Sequence, residues 1–114
     1  NQEASMSSGQ QERDFLDSRD VGSAFAALLL SDVEGPVNIA SGVGIRLLDV
    51  AKSLATEIGK PELLKPGTFR DRENEALRIV GANKRLRDEV GFQSKYSLKE
   101  GLLNTLQSWR SGLD

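Results

Sequence analysis

The chain has 114 residues, a formal net charge of −2 and a sequence pI near 5.2, so its composition gives no sign of the basic face that nucleic-acid binding needs. It contains neither cysteine nor histidine, which excludes disulfides, thiolate metal sites, histidine-based catalytic triads and most zinc or iron sites. No apolar run approaches the roughly 18 residues of a membrane span and no secretory signal is visible, so a cytoplasmic protein without a membrane partner is expected.

The first third of the chain predicts a strand followed by a helix. Residues 1–8 are polar and aperiodic, which favours a disordered tail or an expression remnant. A short strand is predicted around residues 15–16, and Ser18 is expected to cap the next helix. That helix has apolar residues at helical spacing: Val21, Ala24, Phe25, Leu28 and Leu29. Apolar and polar residues alternate over 37–39, so a second strand is predicted there.

Three more helices are predicted in the rest of the chain. The first covers residues 47–58, and Gly59 is well placed to end it in a left-handed conformation. The second is short and has Asn83 as its predicted cap. The third begins at a capping box over 97–100. The charged segment 67–78 lacks periodicity and is predicted to be a loop.

About four helices and two to four short strands define a small α/β domain, which has too few strands for a self-sufficient doubly wound sheet. The glycine turn 42–44 lacks the third glycine of a dinucleotide fingerprint, so a simple tight turn is the preferred interpretation. Tyr96 is interpreted as a hydrophobic staple before the last helix. Asp14, Asp17 and Asp20 are interpreted as caps and solvated side chains rather than as metal ligands.

Two charged residues of the predicted loop are candidates for ligand contact. Arg72 and Glu75 lie in an irregular segment, where functional residues are over-represented. A guanidinium group on a loop is a good donor fork for phosphate. The alternative interpretation is that these side chains, like most charged residues of the second half, are solvated or paired with their neighbours.

Three stretches of the sequence, in this order, resemble the NAD-dependent nucleotide-sugar epimerases and dehydratases, which are extended short-chain dehydrogenase/reductases. They are GQQERDFLDSRDVGSAFAALL, GPVNIASGVGIRLLDVAKSLATEIGKP and RENEALRIVGANKRLRDEVGFQSKYSLKEGLLNTLQSW. The resemblance concerns the C-terminal, substrate-binding part alone, because the glycine-rich Rossmann half and the catalytic Tyr-x-x-x-Lys pair are absent from the sequence. It implies that residues 9–112 form a substrate-binding domain with the fold of that C-terminal subdomain.

By position, the resemblance implies that Arg13 and Arg72 bind the diphosphate of a nucleotide sugar and that Glu75 contacts its ribose. These roles suit guanidinium and carboxylate groups. The resemblance also implies that NAD(P) is the cofactor of the full-length enzymes, with no cofactor, metal or catalytic residue in this chain. The expected function is therefore nucleotide-sugar binding within an NAD(P)-dependent epimerase or dehydratase, without catalysis by the chain alone.

Some residues depart from the family pattern, and one alternative function stays open. Asn74 stands where the family usually has Gly, and Gly81–Ala82 stand where it usually has Ala-Asp. Asn tolerates a left-handed backbone, so the turn at Asn74 is expected to survive. The alternative function is a free-standing truncated module without enzymatic activity. Its exposed apolar surface would bind a second copy or a separate Rossmann domain. A purely structural remnant that binds no ligand is a further interpretation.

Overall fold

The computed structural model describes residues 1–112, and their architecture confirms the predicted small α/β fold. The short strands of this part of the chain are β1 (Ala4–Ser5), β2 (Glu12–Asp14), β3 (Gly44–Arg46), β4 (Leu64–Lys65) and β5 (Arg78–Ile79). The helices are α1 (Ser18–Leu29), α2 (Leu47–Ile58), α3 (Lys84–Asp88) and α4 (Leu98–Gly112), and a 3-10 turn spans Pro61–Leu63. Within residues 1–112, no helix is both long and apolar enough to cross a membrane.

Strand β2 is the centre of a three-stranded sheet. It pairs antiparallel with β3, with Arg13 opposite Ile45, and parallel with β5, with Arg13 opposite Ile79. The sequence-based prediction placed this strand on residues 15–16, slightly too late. Its true position is set by main-chain partners on both sides, which come from distant parts of the chain.

The structure corrects the expectation that residues 1–8 are a disordered tail. Strand β1 pairs in parallel with β4, and the Met6 amide donates a hydrogen bond to the Lys65 carbonyl at 3.2 Å. The Ser8 amide and hydroxyl donate to the two carboxylate oxygens of Asp71 at 2.9 and 2.8 Å. A polar composition did not reveal these contacts because the partners lie far along the sequence.

The ends of two helices confirm the predicted signals. Gly59 follows α2 with a φ of 80°, the left-handed conformation expected of it. At the start of α4, the Ser97 amide donates to Glu100 Oε2 at 2.8 Å and the Glu100 amide donates to Ser97 Oγ at 3.1 Å. Both signals are local in sequence, which is why they could be identified without the fold.

Three predicted features were wrong. Helix α1 is capped by Asp17 rather than Ser18, since the Asp17 carboxylate accepts from the Arg19 amide at 2.9 Å. Asn83 precedes α3, but its side chain donates to the Ser41 carbonyl at 2.9 Å instead of capping the helix. Residues 37–39 form no strand, because no other segment within residues 1–112 pairs with them.

Asp20 is buried, which corrects its interpretation as a solvated side chain. Only 1% of its surface is accessible, and its carboxylate accepts from the amides of Lys95 and Tyr96 at 2.9 and 3.1 Å. Tyr96 is not a staple, because the fourth residue of α4 is Gly101 and offers no side chain. Its ring instead contacts the Arg19 guanidinium, 3.6 Å from the ring centroid. These contacts attach the start of α4 to α1.

Candidate functional site

Arg13 and Glu75 form an ion pair at the edge of the central sheet. One terminal nitrogen of Arg13, Nη1, donates to the carbonyls of Glu12 and Ala76 at 2.8 and 2.9 Å. The other, Nη2, lies 3.2 Å from Glu75 Oε1. The Arg13 and Glu75 side chains keep 23% and 32% of their surface accessible. The loop between β4 and β5, which carries Glu75, is therefore attached to β2 through Arg13. Part of both charged groups still faces solvent.

An open cleft of about 530 Å³ lies between the N-terminal segment and the loop that follows β4. Its lining residues are Ser7, Gln11, Phe69, Arg70, Arg72 and Glu75. Arg70 lies 3.2 Å from Glu73, whereas Arg72 is exposed and makes no ion pair within residues 1–112. The structure thus brings Arg72 and Glu75 into one cleft. Arg13 does not line this cleft and reaches its edge through Glu75.

The loop has two features that determine where its charged side chains lie. Asn74, between Arg72 and Glu75, has a φ of 61°, so the left-handed turn expected at this position is present with asparagine. Asp71, next to Arg72, accepts from the hydroxyl and amide of Ser8, and these hydrogen bonds lower the pKa of Asp71 below its ordinary 3.8. The loop is therefore held by the N-terminal segment.

The sequence analysis missed several residues of the cleft. Ser7 was overlooked because its segment was expected to be a tail, and nothing in the polar stretch around Gln11 indicated its position. Phe69 had a usable signal, since it is the one aromatic residue in the charged segment 67–78. Its place in the cleft still depends on the docking of the N-terminal segment.

The carboxylate of Asp14, the residue after Arg13, organises the loops on both sides of the sheet. It accepts from the amide and hydroxyl of Ser41 at 2.8 and 2.7 Å, and from the amides of Gly42 and Gly81 at 2.9 and 3.1 Å. Partial burial raises the pKa of Asp14, but these hydrogen bonds outweigh it, and the net pKa lies below its ordinary 3.8. Asp14 is therefore a structural anchor.

The same contacts show that the glycine turn does not fit a dinucleotide. A dinucleotide-binding turn presents free backbone amides to the pyrophosphate, just before a helix begins. Here the amides of Ser41 and Gly42 already donate to Asp14. Gly44 begins strand β3 rather than a helix. The residues of this turn therefore do not form a site for NAD(P).

Comparison with solved structures identifies the class of protein that shares this fold. RMD from Pseudomonas aeruginosa, complexed with NADPH, matches 96% of the chain with a TM-score of 0.83 and 28% identity over 36% of its own length. UDP-glucose 4-epimerase from Thermotoga maritima, solved with UDP-glucose, matches 98% of the chain and 36% of its own, with a TM-score of 0.87. Its identity of 22% shows the fold alone. The chain is similar to the C-terminal part of the extended short-chain dehydrogenase/reductases, which confirms the resemblance.

The amino-acid sequence of the chain is also similar to that of a particular curated protein. GDP-6-deoxy-D-mannose reductase from Pseudomonas aeruginosa is 35% identical over 101 residues, which make up 87% of the chain and 33% of the reductase. No protein-family model matches the chain. The chain thus spans about a third of the length of the relatives it matches. RMD is solved with NADPH, which agrees with the NAD(P) cofactor expected of the full-length proteins.

Proposed function

We propose that residues 9–112 form the nucleotide-sugar-binding part of an NAD(P)-dependent epimerase, dehydratase or reductase, and that they do not catalyse alone. The observation that carries this proposal is the single cleft shared by Arg72 and Glu75, with Arg13 3.2 Å from Glu75 at its edge. The similarity to sugar-nucleotide enzymes supports the ligand class. The activity of the whole enzyme depends on residues outside this chain.

The charged groups suit the parts of a nucleoside diphosphate. Arg72 is exposed and free of ion pairs within the described residues, so its planar fork can donate two hydrogen bonds to a phosphate. Glu75 uses Oε1 for Arg13, which leaves Oε2 to accept from ribose hydroxyls. Three of the five N–H groups of Arg13 donate to Glu12, Ala76 and Glu75, which leaves two for a diphosphate at the edge of the cleft.

An NMR titration of the chain with UDP- and GDP-sugars tests the proposal. We expect shift changes concentrated around Arg13, Arg72 and Glu75, with weak affinity, because the chain corresponds to about a third of its relatives. Arg72→Ala should remove most of the response. Arg87→Ala on α3 is the matched control, since it removes the same charge from an exposed position outside this cleft. The absence of any response at millimolar ligand would refute the proposal.

Self-association is a second candidate function, and one surface feature favours it. Three large apolar side chains of α1 and its end, Phe25, Leu29 and Leu30, are 59%, 84% and 87% exposed. Such a surface can pair with the same surface of a second copy. Sedimentation velocity should then show a concentration-dependent dimer that Leu29→Ser abolishes. A monomer at all concentrations would exclude this function.

A further inference from the structure

Phe69 is an apolar ring in a cleft of charged and polar residues. Its side chain is 61% exposed, and it lines the same cleft as Arg72 and Glu75. A single exposed aromatic residue on a convex surface needs no explanation. Inside a concave site, beside groups that can bind phosphate and ribose, a flat apolar surface is available to a ligand.

Hydrogen bonds hold the backbone of Phe69 and of the turn that precedes it. The Phe69 amide donates to the Met6 carbonyl at 3.1 Å, and the Gly67 amide donates to the Ser7 carbonyl at 3.0 Å. The Thr68 hydroxyl donates to the Lys65 carbonyl at 2.8 Å. The turn that carries the ring is thus anchored, so ordering its backbone for a ligand costs little conformational entropy.

We propose that Phe69 is the stacking surface for the nucleobase and makes the cleft selective for nucleoside diphosphates over diphosphates that lack a base. This inference rests on the proposed function of the same cleft. Arg72 and Glu75 account for phosphate and ribose, and neither provides a flat apolar surface. Stacking accepts every base, since each base has a π-face, so the contact selects for a nucleotide without selecting one base.

The test compares UDP, GDP and inorganic pyrophosphate as ligands of the full chain, measured by NMR titration. We expect both nucleotides to bind about tenfold more tightly than pyrophosphate, within the range measured for base stacking on aromatic side chains. Phe69→Leu should remove most of this preference, leaving the part that comes from the ribose contact of Glu75, and should leave the affinity for pyrophosphate unchanged. Phe69→Trp should restore the preference, and Arg72→Ala should weaken all three ligands.

The control and the outcomes separate this inference from the proposed function. Trp109→Leu removes an exposed aromatic ring from α4, outside the cleft, and should change no affinity. If the nucleotides and pyrophosphate bind equally well and Phe69→Leu changes nothing, the stacking role is refuted while the diphosphate site stands. If none of the three ligands binds the unsubstituted chain, the proposed function itself fails.

Discussion

The Asp14 carboxylate accepts four hydrogen bonds directly beside the Arg13 position, and three of them come from backbone amides. Replacing it by Ala leaves the amides of Ser41, Gly42 and Gly81 without this acceptor. We expect Asp14→Ala to lower the free energy of unfolding by about 2 kcal/mol or more, because unsatisfied partly buried amides are costly. Urea unfolding followed by circular dichroism measures this change.

The same carboxylate makes stability depend on pH in acid. Burial raises its pKa, but the hydrogen bonds from Ser41, Gly42 and Gly81 lower the net pKa below the ordinary 3.8. A lowered pKa in the folded state gives stability that is present above the unfolded pKa and is lost as the pH falls through the folded pKa. We therefore expect Asp14→Asn to flatten the fall in stability below about pH 4. A slope identical to that of the unsubstituted chain would contradict this assignment.

The sizes of Ala40 and Gly81 are linked, because Gly81 stands where the resembled family usually has Ala and Ala40 fills the space that a methyl group at residue 81 would need. A Cβ atom added to Gly81 would overlap the Cβ of Ala40. We expect Gly81→Ala to destabilise the chain by about 1–3 kcal/mol, as overpacking does. The double variant with Ala40→Gly should recover most of that loss. The unfolding free energies of both single variants and of the double variant give the coupling energy between residues 40 and 81. Additive effects would refute the link between the two side-chain sizes.

At the scale of elements, the ends of helices could be predicted from the sequence, whereas the positions of strands could not. Gly59 and the Ser97–Glu100 capping box act within a few residues, so the ends of α2 and α4 could be predicted. Strand β2 is polar and exists because β3 and β5 pair with it. Residues 37–39 have the alternation of a strand but no pairing partner within the described residues. The position of a strand depends on pairing with segments that are distant in sequence, and a local sequence pattern gives no information about that pairing.

The charged residues at the candidate cleft could be predicted from the sequence, but the residues that depend on long-range contacts could not. Arg72 and Glu75 could be named because both stand in one charged loop, and Arg13 because of the family resemblance. The roles of all three in binding stay predictions. The contact of Ser8 with Asp71 and the position of Phe69 depend on docking of the N-terminal segment against this loop. No local property of residues 1–8 predicts that they dock against this loop.

The capping box of α4 gives a test at the level of a single element. Ser97 and Glu100 satisfy each other's backbone amides, so Ser97→Ala should cost about 1 kcal/mol of unfolding free energy. Ser97→Asp should retain most of the stability, since aspartate is also a good cap. Ser108→Ala, on the exposed surface of the same helix, is the control and should be neutral or slightly stabilising. Equal losses for both alanine variants would show that the cap contributes nothing.

The whole molecule is flat and has a small core. Its extents are 50 × 39 × 19 Å and its radius of gyration is 16.7 Å, larger than the roughly 13 Å of a compact domain of similar length. The buried apolar residues of the described part are Ala24, Leu48 and Leu86. The relatives with this fold are about three times as long. We therefore expect the isolated chain to have an unfolding free energy below about 5 kcal/mol, the lower limit for typical domains.

One substitution of a buried leucine and one of an exposed leucine test two properties of the molecule. The first tests the contribution of the small core, and the second tests whether a second copy covers α1 in solution. Leu86→Ala should destabilise the chain by about 2–5 kcal/mol, because Leu86 is 1% exposed and its removal leaves a cavity. Leu29→Ser should be neutral within about 0.5 kcal/mol if the chain is a monomer, since Leu29 already faces solvent. Urea unfolding at two protein concentrations measures both effects. If the loss caused by Leu29→Ser grows with concentration, α1 is covered by a second copy, because only a partner linked by mass action makes stability depend on concentration.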